Sequence, residues 1–142
     1  MRAKEFVTEE YVSNLPSVDK GEALRPLLAK AAQKVYDNWN EKDVDTYAGG
    51  GICHLIADEF ASILWDNNIE ATTISSNFEQ HVYVVAKFDE GVYSIDLHPS
   101  YYETGGGFSW KKIPNVVLHP NDISFYMVSG DPDEFDQMTE EF

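Results

Sequence analysis

Apolar residues recur at helical spacing in a first stretch from Ser17 to about Asn40. One face of that stretch carries Leu24, Leu27, Leu28, Ala31, Ala32, Val35 and Trp39. Pro26 lies inside the pattern and indicates either the first turn of the helix or a kink, because proline has no backbone N–H to donate. A short helical start is also expected at residues 8–11. The beginning of the chain is therefore predicted to be helical.

A second amphipathic stretch runs from about Ile52 to Asp66 and stops at the asparagine pair that follows it. Its shared face holds Cys53, Ile56, Ala57, Phe60 and Leu64. Further apolar side chains widen that face, so we expect a largely buried helix.

Beyond these helices the apolar period falls to two, which is typical of strands. Three strands are predicted, Glu70–Ser76, His81–Phe88 and Val92–Leu97, with a turn at residues 89–91 between the last two. Val116–Leu118 and Ile123–Val128 are further candidates. Helices followed by an antiparallel sheet define an α+β domain.

The hairpin of His81–Phe88 and Val92–Leu97 has one register that aligns its apolar faces. That register sets Val84 opposite Ile95 and Val82 opposite Leu97, and a slip of one residue would turn a whole apolar set outward. His81 and Asp96 then share the other face, about one diagonal apart, within reach of each other.

Charged residues are unevenly distributed along the chain. Its 142 residues include 10 Lys+Arg and 25 Asp+Glu, a net charge of −15. Such an excess of acid disfavours binding to nucleic acid and to anionic membranes. Residues 131–142 hold six acids and no base, so we expect a single domain over residues 1–130 and a solvated acidic tail over 131–142, with one helical turn after Pro132.

The cellular setting is expected to be reducing. The chain has one cysteine, no apolar stretch near the roughly 20 residues of a membrane span, and no secretory signal at its N-terminus. These features predict a cytoplasmic protein.

Cys53 is the main candidate for chemistry. It is expected in the first turn of a buried helix that follows Gly49-Gly50-Gly51, two residues beyond the last glycine. A helix N-terminus favours a thiolate, and its free N–H groups can hydrogen-bond an oxyanion. Gly51 and its neighbours leave room for a substrate backbone. The alternative is that Cys53 is a small buried apolar residue.

A histidine oriented by a carboxylate is what a nucleophilic thiol requires. His81 would accept the thiol proton, and Asp96 would fix its tautomer. In the alternative, His81 is a partly exposed strand end and Asp96 caps the following loop. His98, opposite His81 in the expected register, is a rival orienting residue.

The stretches GGGICHLIADEFASIL and EQHVYVVAKFDEGVYSIDLHP, about residues 49–99, resemble the papain-like cysteine peptidase superfamily. They are most similar to its transglutaminase-like and bacterial cell-wall-amidase branches. The resemblance implies a papain-like fold with Cys53, His81 and Asp96 as nucleophile, base and orienting residue. Oxyanion or substrate-binding roles would fall to Tyr47, Gly51, Gln80 and His98. His54 and Tyr83 stand where such enzymes often have aromatic residues, in the second case tryptophan.

The expected function is a cysteine-dependent hydrolase or acyltransferase that acts on an amide, isopeptide or thioester bond of a peptide or protein. No cofactor is expected, and no metal, because the histidines and acids near Cys53 lack paired-cysteine or His-x-x-x-His spacing. The aromatic, glycine-rich residues 100–115 would form a flap over the cleft or a packed surface loop. The small acidic chain also resembles bacteriophage proteins, which would place it in the host cytoplasm.

Two other readings of the same residues stay open. One is a non-enzymatic acidic binding protein, a viral decoy or inhibitor of a host protein, indicated by the net charge of −15 and the acidic tail. The other is a papain-like fold kept only as a scaffold, with Cys53 buried and far from His81.

Overall fold

The computed structural model describes residues 15–38, 52–76, 81–97 and 115–140. The elements in those ranges, in chain order, are α1 (Val18–Glu22), α2 (Arg25–Asn38), α3 (Ile52–Asp66), β1 (Ala71–Ser76), β2 (His81–Phe88), β3 (Gly91–Leu97), a 3-10 turn (Pro120–Asp122), β4 (Ile123–Ser129) and α4 (Glu134–Glu140). The predictions at residues 8–11, at Trp39 and for the loop 98–114 lie outside the described residues. The mixed α+β class is confirmed.

The first predicted helix is divided in two. Ser17 caps α1 by accepting a hydrogen bond from the amide of Asp19 (3.2 Å). The chain turns after Glu22, and Pro26 is the second residue of α2. Proline is tolerated there because the first N–H groups of a helix have no intrahelical partner. Of the two sequence-based interpretations of Pro26, the first turn is therefore confirmed.

The four strands form one antiparallel sheet in the order β1-β2-β3-β4. The predicted hairpin register is confirmed, with Val84 paired to Ile95 and Phe88 to Gly91. On either side, Ala71 pairs with Ala86 and Ile95 with Phe125. Among the described strands, β1 and β4 are thus the two edges.

Helices α2 and α3 pack against one face of the sheet and make the main core. Its fully buried side chains include Leu28, Tyr36, Ile56, Phe60 and Leu64 from the helices, and Val84, Phe88, Ile95, Leu97 and Ile123 from the strands. A smaller cluster on the opposite face joins Ile74, Val85 and Val92 to Phe135 of α4. The sheet therefore has apolar contacts on both faces.

The acidic tail differs from the expectation of a solvated segment with one helical turn. Residues 134–140 form α4, whose Phe135 is 3% exposed and whose Met138 is partly buried beside it. These two apolar residues are three apart, so they lie on one helical face that can cover the sheet. At least this part of the tail is packed.

The prediction of a strand at Val116–Leu118 is wrong. The backbone of this segment bonds to a side chain of α2 instead of to a strand. Gln33 Nε2 donates to the carbonyl of Val116 (3.1 Å), and the amide of Leu118 donates to Gln33 Oε1 (2.7 Å). Leu118 is buried in the main core. The amide of Gln33 thus takes the place of a strand ladder.

Candidate functional site

Cys53 is the second residue of α3 and belongs to the main core. Its side chain is a free thiol and is only 3% exposed. The predicted position in the first turn of a buried helix is confirmed. In the described state the sulfur is enclosed by protein, so a substrate could reach it only after a local opening.

The connection from α3 to β1 fixes which end of the sheet Cys53 approaches. The amide of Ile69 donates to the carbonyl of Leu64 (2.9 Å), and Trp65 Nε1 donates to the carbonyl of Ala71 (2.7 Å). The last turn of α3 therefore lies at the beginning of β1. Because α3 packs along β1 and β2, its first turn lies toward the end of β1.

The same end of the sheet holds the first residue of β2. His81 pairs with Ser76, the last residue of β1. The backbone position of His81 at the start of a strand was predicted correctly, whereas its side chain lies outside what the structure describes.

Asp96 is the penultimate residue of β3, at that same end. Its Oδ1 accepts a hydrogen bond from the amide of Leu97 (2.9 Å), and its carbonyl accepts one from Ser124 Oγ of β4 (3.2 Å). Its neighbours Ile95 and Leu97 are both fully buried in the main core. Because successive side chains of a strand point to opposite faces, Asp96 lies on the face away from α3.

The structure thus brings together the chain positions of Cys53, His81 and Asp96 at one end of the sheet. It places the Cys53 sulfur and the Asp96 carboxylate on different faces. The carboxylate contact with the next amide is the one expected of a residue that caps a loop. Tyr47, Gly51, Gln80 and His98, the other predicted site residues, lie outside the described residues.

His54 follows Cys53 on the more exposed flank of α3. Its Nε2 lies 3.4 Å from Asp58 Oδ2, one helical turn away. Within the described ranges, no group of three or more His, Cys, Asp or Glu side chains is arranged to hold a metal ion.

A groove that sequence reasoning missed lies between α2 and the segment before β4. Leu27 and Val117 line it with half or more of their surface exposed, and Lys30 and Lys34 stand beside them. The sequence carries one signal for this groove, since the apolar residues Leu27 and Val117 each lie close to a proline, Pro26 and Pro120.

The strand expected at Ile123–Val128 is confirmed as β4, and the feature that sequence reasoning missed is how exposed its side chains are. Tyr126, Met127 and Val128 are 69%, 44% and 40% exposed. The signal was present in the sequence, since residues 123–130 contain no charged side chain.

Comparisons with protein families, with curated proteins and with solved structures find no match to this chain. None of the helices in the described part of the chain is long and apolar enough to cross a membrane. By its fold, the described part of the chain is an α+β protein with helices packed on a four-stranded antiparallel sheet.

Proposed function

We propose that this protein is a cysteine-dependent hydrolase or acyltransferase of papain-like type. Cys53 is the nucleophile, His81 the general base and Asp96 the residue that orients the histidine. One observation supports the proposal: the first residue of β2 and the end of β3 lie at the same end of the sheet, and α3, whose last turn lies at the start of β1, packs along β1 and β2 with its first turn toward that end. The substrate class is a peptide or protein with an amide, isopeptide or thioester bond.

The reaction follows from the chemistry of these groups. The imidazole of His81 takes the thiol proton, and the sulfur of Cys53 attacks the carbonyl carbon. The N–H groups at the start of α3 stabilise the oxyanion. The carbon–nitrogen or carbon–sulfur bond then breaks, and the imidazolium returns its proton to the leaving group. Water or an amine attacks the resulting thioester, which releases the acyl group and restores the thiol.

The position of Asp96 limits how it can act. Its carboxylate already accepts from the Leu97 amide and lies on the face away from the core. The expected register puts His81 on that same face, so Asp96 can orient the ring there, and the ring reaches the Cys53 sulfur only around the end of the sheet. Because Asp96 acts only through His81, Asp96→Asn is expected to have a smaller effect than His81→Ala.

Alkylation by iodoacetamide tests the thiol and base together, because the chain has a single cysteine. In the wild type, Cys53 should be labelled faster than a free model thiol at neutral pH, because the imidazole of His81 takes the thiol proton. His81→Ala should slow labelling at least about tenfold. Asp96→Asn should give a labelling rate between those of the wild type and His81→Ala.

His54→Ala is the matched control, because His54 adjoins Cys53 on α3 but has no part in the proposed reaction. It should leave the labelling rate of Cys53 unchanged. If His81→Ala and His54→Ala both behave like the wild type, the proposed catalytic pair is wrong. Circular dichroism of each variant checks that it is folded.

A second candidate function, a non-enzymatic acidic binding protein, is favoured by the enclosed sulfur and by the contact of Asp96 with the Leu97 amide. That function predicts a stoichiometric complex that salt weakens and that Cys53→Ala leaves intact. The iodoacetamide labelling series separates the two candidate functions, because His81→Ala should not change the labelling rate of a protein that acts only by binding.

A further inference from the structure

Among the strands that the structure describes, β4 is an edge of the sheet. It has β3 on one side and no described strand on the other. An edge strand presents unpaired backbone groups, and proteins commonly protect it with charge, proline or a covering segment. Residues 123–129 contain neither a charge nor a proline.

The backbone hydrogen bonds of Ile123 show which residues of β4 face outward. Its amide donates to the carbonyl of Pro120, and its carbonyl accepts from the guanidinium of Arg25. Neither group is used in the ladder with β3. Because this orientation alternates along an antiparallel strand, the N–H and C=O groups of Phe125 and Met127 also point to the open edge.

The side chains along this edge suit an extended ligand. Tyr126 is 69% exposed and Met127 is 44% exposed. The ring of Phe125 is held from the inner side by Arg25, whose guanidinium carbon lies 4.7 Å from the ring centroid. A bulge between Val92 and Tyr93 in the pairing with β4 ends the regular edge near Met127. The accessible stretch is therefore about residues 124–127.

The other edge strand, β1, lacks these features. Among its described side chains, Ser75 is exposed, Thr72 and Thr73 are half-buried, and Ile74 is buried in the cluster with Phe135 of α4. β1 thus offers small hydroxyl side chains where β4 offers large apolar ones. The difference singles out β4 as a binding edge.

Charge around β4 indicates what kind of chain it would bind. Residues 115–140 contain no Lys or Arg, and they carry the acids Asp122, Asp131, Asp133, Glu134, Asp136 and Glu140. Asp122 lies just before β4, and Asp131 and Asp133 follow it. Arg25, which contacts Ile123 and Phe125, is offset by the carboxylate of Glu22, 3.9 Å from its guanidinium. A strand without charge of its own and with carboxylates beyond both ends is complementary to an extended segment with an apolar centre and basic ends.

A second copy of the chain fits this edge poorly. Antiparallel pairing of two β4 strands would bring Asp122 of one copy toward Asp131 of the other. Like charges there oppose the contact, and the net charge of −15 adds to the repulsion.

We propose that β4 is a docking strand for an extended basic segment of a partner protein, which adds to the sheet as a fifth strand. Its backbone bonds to Phe125 and Met127, and its basic ends meet Asp122 and Asp131. This proposal is independent of Cys53, because a Cys53→Ala protein would bind the same segment.

A synthetic peptide of alternating valine and threonine with two lysines at each end is the test ligand, and a version with glutamates at the ends is its control. The lysine peptide should slow hydrogen exchange at the amides of Phe125 and Met127, which exchange rapidly in the free protein. Its affinity should fall steeply with added salt, and the glutamate peptide should bind at least about tenfold more weakly.

Met127→Pro and Met127→Thr separate the backbone contribution from that of the side chain. Proline removes an N–H that faces outward and so leaves the ladder with β3 intact. Met127→Pro should lower the affinity for the lysine peptide at least about tenfold, because strand addition depends on main-chain hydrogen bonds. Met127→Thr should lower that affinity less. Val117→Lys, a charge added at an exposed residue outside the sheet, should leave binding unchanged apart from a small electrostatic effect.

Three results would overturn the proposal. The first is that the lysine peptide binds without protecting the amides of Phe125 and Met127 from exchange. The second is that these amides are protected in the free protein only at high protein concentration, which would mean that a second copy occupies the edge. The third is that they are protected in the free protein at every concentration, which would mean that another segment of the same chain occupies it.

Discussion

Gly91 occupies a backbone conformation that other residues rarely adopt. Its φ is +147°, and a Cβ atom there would collide with the carbonyl oxygen of Ser129 on β4. The glycine therefore permits both the turn after β2 and the close approach of β4 to β3. The prediction that β3 begins at Val92 was one residue late because it treated this glycine as part of the turn only.

We predict that Gly91→Ala destabilises the protein by about 3 kcal/mol, because it adds backbone strain to a steric overlap with main-chain atoms. Gly130→Ala is the control, since a Cβ there has no neighbour within 4 Å. Urea unfolding of both variants measures the difference. Equal stability of the two variants would contradict this account of Gly91.

At the scale of elements, Glu90 fastens α1 to the turn between β2 and β3. Ser17 Oγ donates to Glu90 Oε2 and the amide of Val18 donates to Glu90 Oε1, both at 2.8 Å. Slight desolvation acts to raise the pKa of Glu90, but hydrogen bonds from the Ser17 hydroxyl, the Val18 amide and the amide of Glu90 itself outweigh it and hold the pKa below its ordinary value of 4.5.

The sign of the pH effect follows from that lowered pKa. The folded state favours the ionised carboxylate, so the contribution to stability is complete above about pH 4.5 and is lost as the pH falls through the folded-state pKa. We predict that Glu90→Gln lowers stability at neutral pH by about 1 kcal/mol or less, because the site is exposed. Asp89→Asn is the neighbouring control.

Thermal unfolding of these variants between about pH 3 and 7 is the measurement. The deficit of Glu90→Gln relative to the wild type should shrink toward acid pH. A deficit that stays constant across this range would mean that the carboxylate charge does not contribute.

The elements that the sequence predicted well are those whose apolar period is unambiguous. The bounds of α3 and β2 and the pairing of Val84 with Ile95 follow from periodicity alone. The segment 116–118 was mistaken for a strand because no local pattern shows that Gln33, far away in the chain, would bond its backbone. Long-range contacts of this kind leave no trace in periodicity.

The candidate site also has one part that the sequence predicts and another that it does not. Periodicity located Cys53 at a helix start and Asp96 at a strand end. It also put His81 and Asp96 together on the face opposite the apolar one, and the packing of α3 on the apolar face makes this the face away from Cys53. Side-chain convergence depends on how the helix and the sheet pack, which periodicity does not determine.

At the scale of the whole molecule, the sheet has apolar contacts on both faces, and α4 covers part of the second one. Phe135 is 3% exposed and contacts the cluster of Ile74, Val85 and Val92. Lys87 Nζ and Asp136 Oδ2, 4.0 Å apart, add a weak ion pair between β2 and α4. The end of the chain is thus part of the folded unit at least through this helix.

We predict that Phe135→Ala destabilises the whole protein by about 3 kcal/mol, because it leaves a cavity over the sheet. Gln137→Ala, at an exposed position of the same helix, should change stability by less than about 0.5 kcal/mol. Chemical denaturation followed by circular dichroism measures both. If Phe135→Ala matches Gln137→Ala, then α4 is not a structural part of the domain.

The proposed chemistry depends on one relation at the end of the sheet, between the thiol of Cys53 and the imidazole of His81. A crystallographic measurement of the distance from the Cys53 sulfur to the nearer ring nitrogen of His81 tests it most directly. We predict a separation of roughly 3–4 Å, within reach of proton transfer. A ring that lies with Asp96 on the far face of the sheet, beyond reach of the sulfur, would contradict the proposed function.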